Sequence, residues 1–365
     1  MTTERVKRTT IKQLAKAAGV STATVDRVIN NRAKVSVATT NLVLETHRRL
    51  VSGASTDLRV TAAEPERMLR FDFVMESSKP FIDSIKTAVE RVKASSHGFN
   101  ISLHIHAAPL PFDLHAFTQR LDAVASESDG IVLVCREDPA ITSCLNNISK
   151  AGVPLVCLTT DLVDIDRLGY IGINHVSAGR TAGRLLGQLS GAQSGELILL
   201  LTGSFRCQYE RELGFRSLIR EAYPKLSIRE VYANQETDND SFSKLTEAFK
   251  LNPAKPIGLY NTGGGTLGVA DAVTAMGWGR EVLFVGHELN AASLELMTTN
   301  RMAAVIGQDT KSEVALAINA LLHHHQRTTI APTYSPAAPL VFFKENIGTL
   351  ISDGLPMFHN KSNAN

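Results

Sequence analysis

From Phe71 to about residue 345, short apolar runs of β type alternate with amphipathic helical stretches, and this alternation constrains the chain more than any other feature. It commits the region to parallel sheets, because parallel strands need a connection of a dozen or more residues, normally a helix. The strand runs are residues 71–75, 101–105, 131–135, 155–158, 170–173, 197–201, 228–232, 257–260, 282–285 and 303–306, with helical spacing between them. So many units exceed one comfortable open sheet, so the expectation for residues 70–345 is an α/β body of two doubly wound parallel-sheet lobes. Composition agrees: 44% hydrophobic and 20% charged residues exclude both a disordered chain and a multi-span membrane protein. Cys135, Cys144, Cys157 and Cys207 form no CxxC pair, which argues against structural zinc and a disulfide framework and for a reducing compartment.

Ahead of this region the sequence changes character. Residues 1–50 carry ten basic side chains against three acidic ones, a net of +7; the whole chain carries +2, leaving −5 for the remainder. A basic head on a mildly acidic body is the charge footprint of a nucleic-acid reader, since phosphate neutralisation supplies most non-specific DNA affinity. On charge alone a solubilising or targeting extension would serve as well. No apolar stretch of secretory kind follows the first basic residues, however, and no run of 18 apolar residues occurs, so a cytoplasmic protein without membrane contact is expected.

The head, residues 1–52, reads as a small all-α unit. Thr10 can cap a helix over residues 11–18, in which Ile11, Leu14, Ala15 and Ala18 form one apolar stripe, and Gly19 ends it. Ser21 can cap a second helix over residues 22–29, with Val25, Val28 and Ile29 inward, and a third begins after Ser36. Two short helices joined by a glycine-containing turn make a helix-turn-helix. With its inward face fixed, the second helix leaves Thr22, Ala23, Asp26, Arg27 and Asn30 outside, where a recognition helix meets the major groove. Arg27 can pair with guanine, Thr22 and Ala23 can meet base edges or a thymine methyl, and Asn30 can hold phosphate or adenine. As the bland alternative, all of these are only solvated polar residues.

The run Thr10-Ile11-Lys12-Gln13-Leu14-Ala15-Lys16-Ala17-Ala18-Gly19-Val20-Ser21-Thr22-Ala23-Thr24-Val25, followed by Arg27-Val28-Ile29-Asn30-Asn31, resembles the N-terminal signature of LacI/GalR transcription regulators. Asp26 departs from it, standing where the family usually has serine near the DNA backbone. The linker, residues 53–69, departs again: it lacks the Tyr-x-Pro-Asn lead-in and the leucine wedge of a minor-groove hinge helix. The resemblance implies a body similar to periplasmic sugar-binding proteins over residues 70–345, followed by a tail at 346–365. Tyr170-Ile171-Gly172-Ile173-Asn174 with Ala178-Gly179-Arg180-Thr181-Ala182-Gly183 resembles that body's lobe-crossing strand and following helix.

In open parallel sheets ligands bind beyond the carboxyl ends of the strands. Those ends present Ser77, Ser78, Arg136, Thr159, Thr160, Asp161, Asn174, Gly203, Ser204, Asn261, Glu288 and Gln308, a set suited to a molecule rich in hydroxyls. Arg211 can donate in a fork, Glu288 can accept from two hydroxyls, and Phe81 and Phe205 can wall a sugar ring. By resemblance, Arg211, Asn261, Glu288 and Gln308 stand where family members contact their effector, with Ser78 and Phe81 on the first lobe. Thr159-Thr160 replace a common Asp-Arg and His287-Glu288 a common Phe-Asp, so the effector need not be a common pentose or hexose. Each has a plainer alternative: Phe81 in the core, Asn174 as a helix cap, Gln308 satisfying backbone. The glycines of Asn261-Thr262-Gly263-Gly264-Gly265-Thr266 either cradle an anion at a helix start or only shape a loop.

His323-His324-His325 is a weak metal candidate, since consecutive residues point around a helix in different directions. No catalytic motif and no cofactor signature occurs, so an enzyme acting on a sugar is the remoter reading and a transporter's solute-binding protein the nearer alternative. The expected protein is a ligand-responsive repressor, with activation left open. Its partners would be double-stranded operator DNA and a sugar, polyol or sugar acid, and it would be a homodimer, with a tetramer as the alternative.

Overall fold

The computed structural model describes residues 11–29, 43, 67–95, 99–108, 111–191, 194–203 and 205–347. Thr10, Asn30, Ser204, most of the third helical stretch, linker residues 53–66 and the tail from residue 348 lie outside them. The chain divides into two compact units, Met1–Glu66 and Arg67–Asn365.

In the first unit, helix α1 (Ile11–Ala18) and helix α2 (Thr22–Ile29) are joined at Gly19, whose φ of 64° is the left-handed conformation that stops a helix. Ser21 Oγ then accepts from the Thr24 amide at 3.1 Å, capping α2. Leu14, Ala15, Ala18 and Val25 are buried together with Val43, and Val20 and Val28 pack against them. Ile11 was expected in this stripe; at the first position of α1 it overhangs the small core and stays 41% exposed.

The second unit contains both lobes. In the first lobe, β1 (Leu69–Met75), β2 (Ile101–Ala107), β3 (Gly130–Val134), β4 (Leu155–Leu158) and β5 (Gly169–Ile171) form a five-stranded sheet in the order β2-β1-β3-β4-β5. All its pairings are parallel. Helices α3 (Lys79–Ser95), α4 (Leu114–Ala125) and α5 (Pro139–Lys150) supply the crossovers. The chain then passes to the second lobe through α6 (His175–Leu189), β6 (Gly195–Leu201), α7 (Arg206–Ala222), β7 (Leu226–Tyr232), α8 (Asp238–Leu251), β8 (Gly258–Asn261), α9 (Thr266–Ala275), β9 (Leu283–His287), α10 (Ala291–Thr298) and β10 (Ala304–Gly307). After β10, helix α11 (Thr310–His324) packs back on the first lobe, contributing Val314, Ile318 and Leu321 to its core. Finally β11 (Leu340–Phe342) returns to the second lobe antiparallel to β10, completing a six-stranded sheet in the order β11-β10-β9-β8-β6-β7.

Each sheet is covered on both faces, which is why its strands read as continuous apolar runs. Phe71, Phe73 and Ile85 lie on one face of the first sheet and Leu121, Leu133 and Ile141 on the other. Phe249 and Phe284 face one way in the second lobe, Phe215 and Tyr260 the other. Burying each such ring contributes on the order of 2–3 kcal/mol. The body begins at Arg67 and β1 at Leu69, so the expected linker ends earlier than residue 69. Its other end runs past 345, because Ile347 is buried in the second lobe's core. The lobe crossings pair with one another: Asn174 N donates to Ala337 O at 2.8 Å and Ala337 N to Gly172 O at 2.9 Å.

Candidate functional site

On α2 of the head, Thr22, Ala23 and Arg27 are exposed together with Ser21, while Val25 beneath them is fully buried. The face expected to meet DNA is therefore presented outward by a packed core. Thr10 and Asn30 belong to the same expectation and lie outside the described residues.

In the body, a cleft of about 1270 Å³ opens at the carboxyl ends of the strands, between the lobes. The first lobe lines it with Ser77, Ser78, Phe81, Thr159 and Thr160, and the second with Phe205, Cys207, Gln208, Arg211, Glu236, His287, Glu288 and the glycines after β8. Gln308 joins them at the crossing after β10. Ser78, Thr160, Arg211, Glu288 and Gln308 are thus brought to one cavity. Phe81 lines it while only 5% exposed, so it serves core and wall at once.

Arg211 is held rigidly, and the sequence shows how. Helices α6 and α7 touch backbone to backbone: a Cβ on Gly179 would lie 1.8 Å from Arg211 O, and one on Gly214 would lie 2.0 Å from Val176 O. Only glycine permits that approach, and it fixes the first turns of α7 against the crossing. The guanidinium, 3% exposed, donates through Nε to His175 Nδ1 at 3.2 Å and through Nη1 to Thr262 O at 2.8 Å. Its Nη2 faces Glu288 Oε1 at 3.5 Å. Because Arg211 has no acceptor, His175 Nδ1 must offer its lone pair, leaving the ring proton on Nε2, 2.6 Å from Thr159 O. Burial and then Arg211 hold the His175 pKa well below the usual histidine range, so the ring is neutral. His287 is neutral by the same causes; its Nε2 meets Tyr260 Oη at 2.7 Å and its Nδ1 has no partner.

Glu288 and Thr159 share an unusual feature. Each is the first residue past its strand, each has positive φ (68° and 63°), and each donates its N–H to the neighbouring strand, Glu288 to Ile306 O and Thr159 to Ile171 O. For a β-branched threonine this is a strained conformation, of the kind that clusters at functional sites.

Three expected residues are placed elsewhere, each because a nearby partner takes its side chain. The Asp161 carboxylate accepts from Arg167 at 2.7 Å and from the Leu162 amide. Asn174 caps α6 through the Ser177 amide at 2.8 Å, the plainer of its two readings. Asn261, fully buried, bonds Gly264 O at 2.9 Å and the Gly263 amide at 3.2 Å, shaping the glycine loop. That loop is no anion cradle: Glu236 accepts from the Gly264 amide, and Asp238 accepts from Leu267 and Gly268 at the start of α9. His325 bonds Asp129 O and stacks on Phe71, and no metal-holding cluster occurs among the described residues. The four cysteines are free, and no described helix is long and apolar enough to cross a membrane.

His175, Gln208 and Glu236 belong to the site as well, beyond the strand-end set. Glu236 follows β7 by a few residues, so the same strand-end rule pointed to it; Gln208 and His175 lie on helices, where that rule is silent. Burial is the leading cause that pushes the Glu236 and Glu288 carboxyls above the ordinary range.

Residues 73–327 match the periplasmic binding protein domain family, and residues 10–50 match the bacterial regulatory proteins of the lacI family. The chain belongs to the periplasmic binding protein domain family and carries the lacI-family match in its head. Among relatives of this chain, the HTH-type transcriptional regulator DegA of Bacillus subtilis (strain 168) is 26% identical over 219 residues, which span 59% of this chain and 62% of DegA. A solved structure of GanP, a glucose-galactose binding protein from Geobacillus stearothermophilus, superposes with a TM-score of 0.68 at 18% identity, over 78% of this chain and all of that one. A solute-binding protein of an ABC transporter from Agrobacterium vitis, bound with α-D-tagatopyranose, gives a TM-score of 0.68 at 19% identity, over 79% and 99%. At these identities the likeness is one of fold alone, a two-lobed α/β body.

Proposed function

We propose that this protein is a transcription regulator, acting as a repressor, whose hold on a near-palindromic operator is set by a small polyhydroxylated effector bound between the lobes. The observation that carries this reading is the outward face of Thr22, Ala23 and Arg27 on a capped helix, in the same chain as a ligand-sized cleft. DegA is a transcriptional regulator and the fold neighbours bind sugars, which supports both halves. The protein works in the cytoplasm without cofactor or catalytic step, and dimerises through its body so that two heads meet two half-sites. Effector and operator prefer different lobe orientations, so each weakens the other by one shared free energy. The solute-binding alternative accounts for the body alone and leaves the exposed face of α2 without a role.

Selection of operator from random duplexes, followed by anisotropy titrations across salt concentrations, tests the proposal. A steep fall in affinity is expected, roughly 10³-fold or more between 50 and 200 mM salt if six or more phosphates are contacted. Arg27→Ala should cost about 1–3 kcal/mol and relax preference at one base position. Unchanged operator affinity in this variant and in a chain lacking the head would sink the reading.

A further inference from the structure

The cleft's own donors and acceptors narrow the effector class. Resting on the reading of this cleft as the effector site, we propose that the effector is a polyhydroxylated molecule carrying a protonated amine, received by Glu288.

Charge is the first ground. Three of the ionisable side chains lining the cleft come from the second lobe's inner wall: Arg211, Glu236 and Glu288. The acids outnumber the base, and the base is partly spent, with Nε on His175 and Nη1 on Thr262 O. What reaches Glu288 is one Nη2 contact at 3.5 Å, too long for a strong charge-assisted bond, and among the described residues nothing else hydrogen-bonds its carboxylate oxygens. Elsewhere in the lining, Lys79 is paired with Asp83, while Asp238 and Asp309 accept from amides at the starts of α9 and α11. Lys311 is exposed.

The second ground is the pattern of unused lone pairs. Gln208 gives its Nε2 to Glu236, so its Oε1 faces outward from that bond, buried and without a partner. Gln308 gives its Nε2 to Thr159 Oγ1 at 3.2 Å, and its Oε1 is likewise buried and unpartnered, in a residue 8% exposed. The wall therefore lines the cleft with two carboxylates, backed by two buried amide oxygens that lack a hydrogen, against the remaining guanidinium hydrogens. A sugar acid or phosphosugar would bring acceptors to acceptors and negative charge to negative charge. A hydroxyl supplies one hydrogen, whereas an ammonium supplies three together with the missing positive charge. Burial already holds Glu288 and Glu236 under a desolvation cost that a neighbouring cation relieves.

The test uses the full-length protein and matched neutral, amino and acid forms: D-glucose, D-glucosamine and D-glucuronate; D-galactose, D-galactosamine and D-galacturonate; sorbitol, glucamine and gluconate. Melting-temperature shifts rank them and calorimetry gives affinities. In at least one set the amino form should bind about tenfold or more tighter than its neutral parent, with the acid form weakest. Glu288→Gln keeps the shape and removes the charge; it should cut that preference to about twofold or less, with the variant's own melting temperature reporting that it folds. Glu236→Gln should reduce the preference in part. Binding of neutral or acid forms with no gain from the amine overturns the assignment and leaves the sugar-responsive regulator standing. Failure of every member to bind also overturns it, while operator titrations on the same protein judge the regulator reading separately. An amine preference that survives Glu288→Gln overturns the placement on that residue.

Discussion

The two lobes share one architecture and meet the cleft with different chemistry. The first lobe presents hydroxyls and an aromatic ring, Ser77, Ser78, Thr159, Thr160 and Phe81, with the charged Lys79, Asp83 and Arg91 along α3; the second presents Arg211, Glu236, Glu288, Gln208 and His287, with Phe205 as its ring. Both kink their wall at the same place, Thr159 after β4 and Glu288 after β9, with positive φ at each. The shared kink belongs to the fold, and what differs is the side chain it delivers. A wall of buried charge can discriminate between ligands before the lobes close, because wrong charges leave buried groups unpaired. A wall of hydroxyls and one ring suits a cover that follows. The contact that meets this cover is already visible: a Cβ on Gly264 of the second lobe would lie 3.3 Å from Ser78 Cβ of the first.

The sharpest way to break this division is to exchange its two sides. Arg211→Met should abolish effector response and lower the stability of the body by roughly 2–3 kcal/mol, since it leaves Thr262 O and His175 Nδ1 buried without their donor. Thr160→Val on the first lobe removes one acceptor, that of the Cys207 amide at 3.3 Å, and should cost about 1 kcal/mol while ligand selectivity survives. Denaturant unfolding and effector titration measure both; equal losses would show that recognition is shared between the lobes. Next in size is Gly264→Val. The new side chain meets Glu236 Cβ at 2.8 Å and the Ser78 side of the cleft, so effector affinity should drop by on the order of tenfold while operator binding remains. Scattering profiles that still contract normally on adding effector would exclude Gly264 as the closing contact.

The sequence made the lobes legible because buried parallel strands are continuous apolar runs, and residues 155–158 were delimited as observed for β4. It gave no sign of β11: this strand has three residues, follows Pro332, Pro336 and Pro339, and exists only because β10 offers an edge distant in sequence. The cleft was half legible. The strand-end rule reached Ser78, Thr160, Glu288 and Gln308, since strand ends are positions of the topology. It could not separate them from Asp161, Asn174 and Asn261, whose short side chains bond nearby backbone instead. Nor could it find His175, which meets Arg211 across the α6–α7 crossing, or Gln208, which meets Glu236 beyond β7.

A smaller effect concerns Glu313, at the start of α11 where the chain re-enters the first lobe. Both its carboxylate oxygens are buried without a partner, and burial, with Glu288 and Asp309 adding, pushes its pKa well above the ordinary range. The folded protein therefore holds this proton to higher pH than the unfolded chain does, so its stability is intact at low pH and declines as pH rises beyond about 4.3 toward the folded value. Glu313→Met should stabilise the body by on the order of 1–3 kcal/mol at pH 8 and by less at pH 5. A gap between variant and parent that is constant with pH would show that the residue titrates as it does in the unfolded chain.

An exposed link between the lobes is the ion pair from Arg206 Nη1 at the start of α7 to Glu137 Oε1 beyond β3, at 3.3 Å. With 35% and 39% of the two side chains exposed, solvent screens it, and Arg206 also serves Glu210 on its own helix at 3.0 Å. Exposed pairs of this kind contribute about 0.5 kcal/mol or less. Arg206→Gln should therefore weaken effector binding by about twofold at low salt and leave it unchanged at 0.5 M salt, where the screening length falls below 5 Å. A larger loss that still disappears at 0.5 M salt would mean that closure is held by charge at the rim, and that the first lobe does more than cover the site.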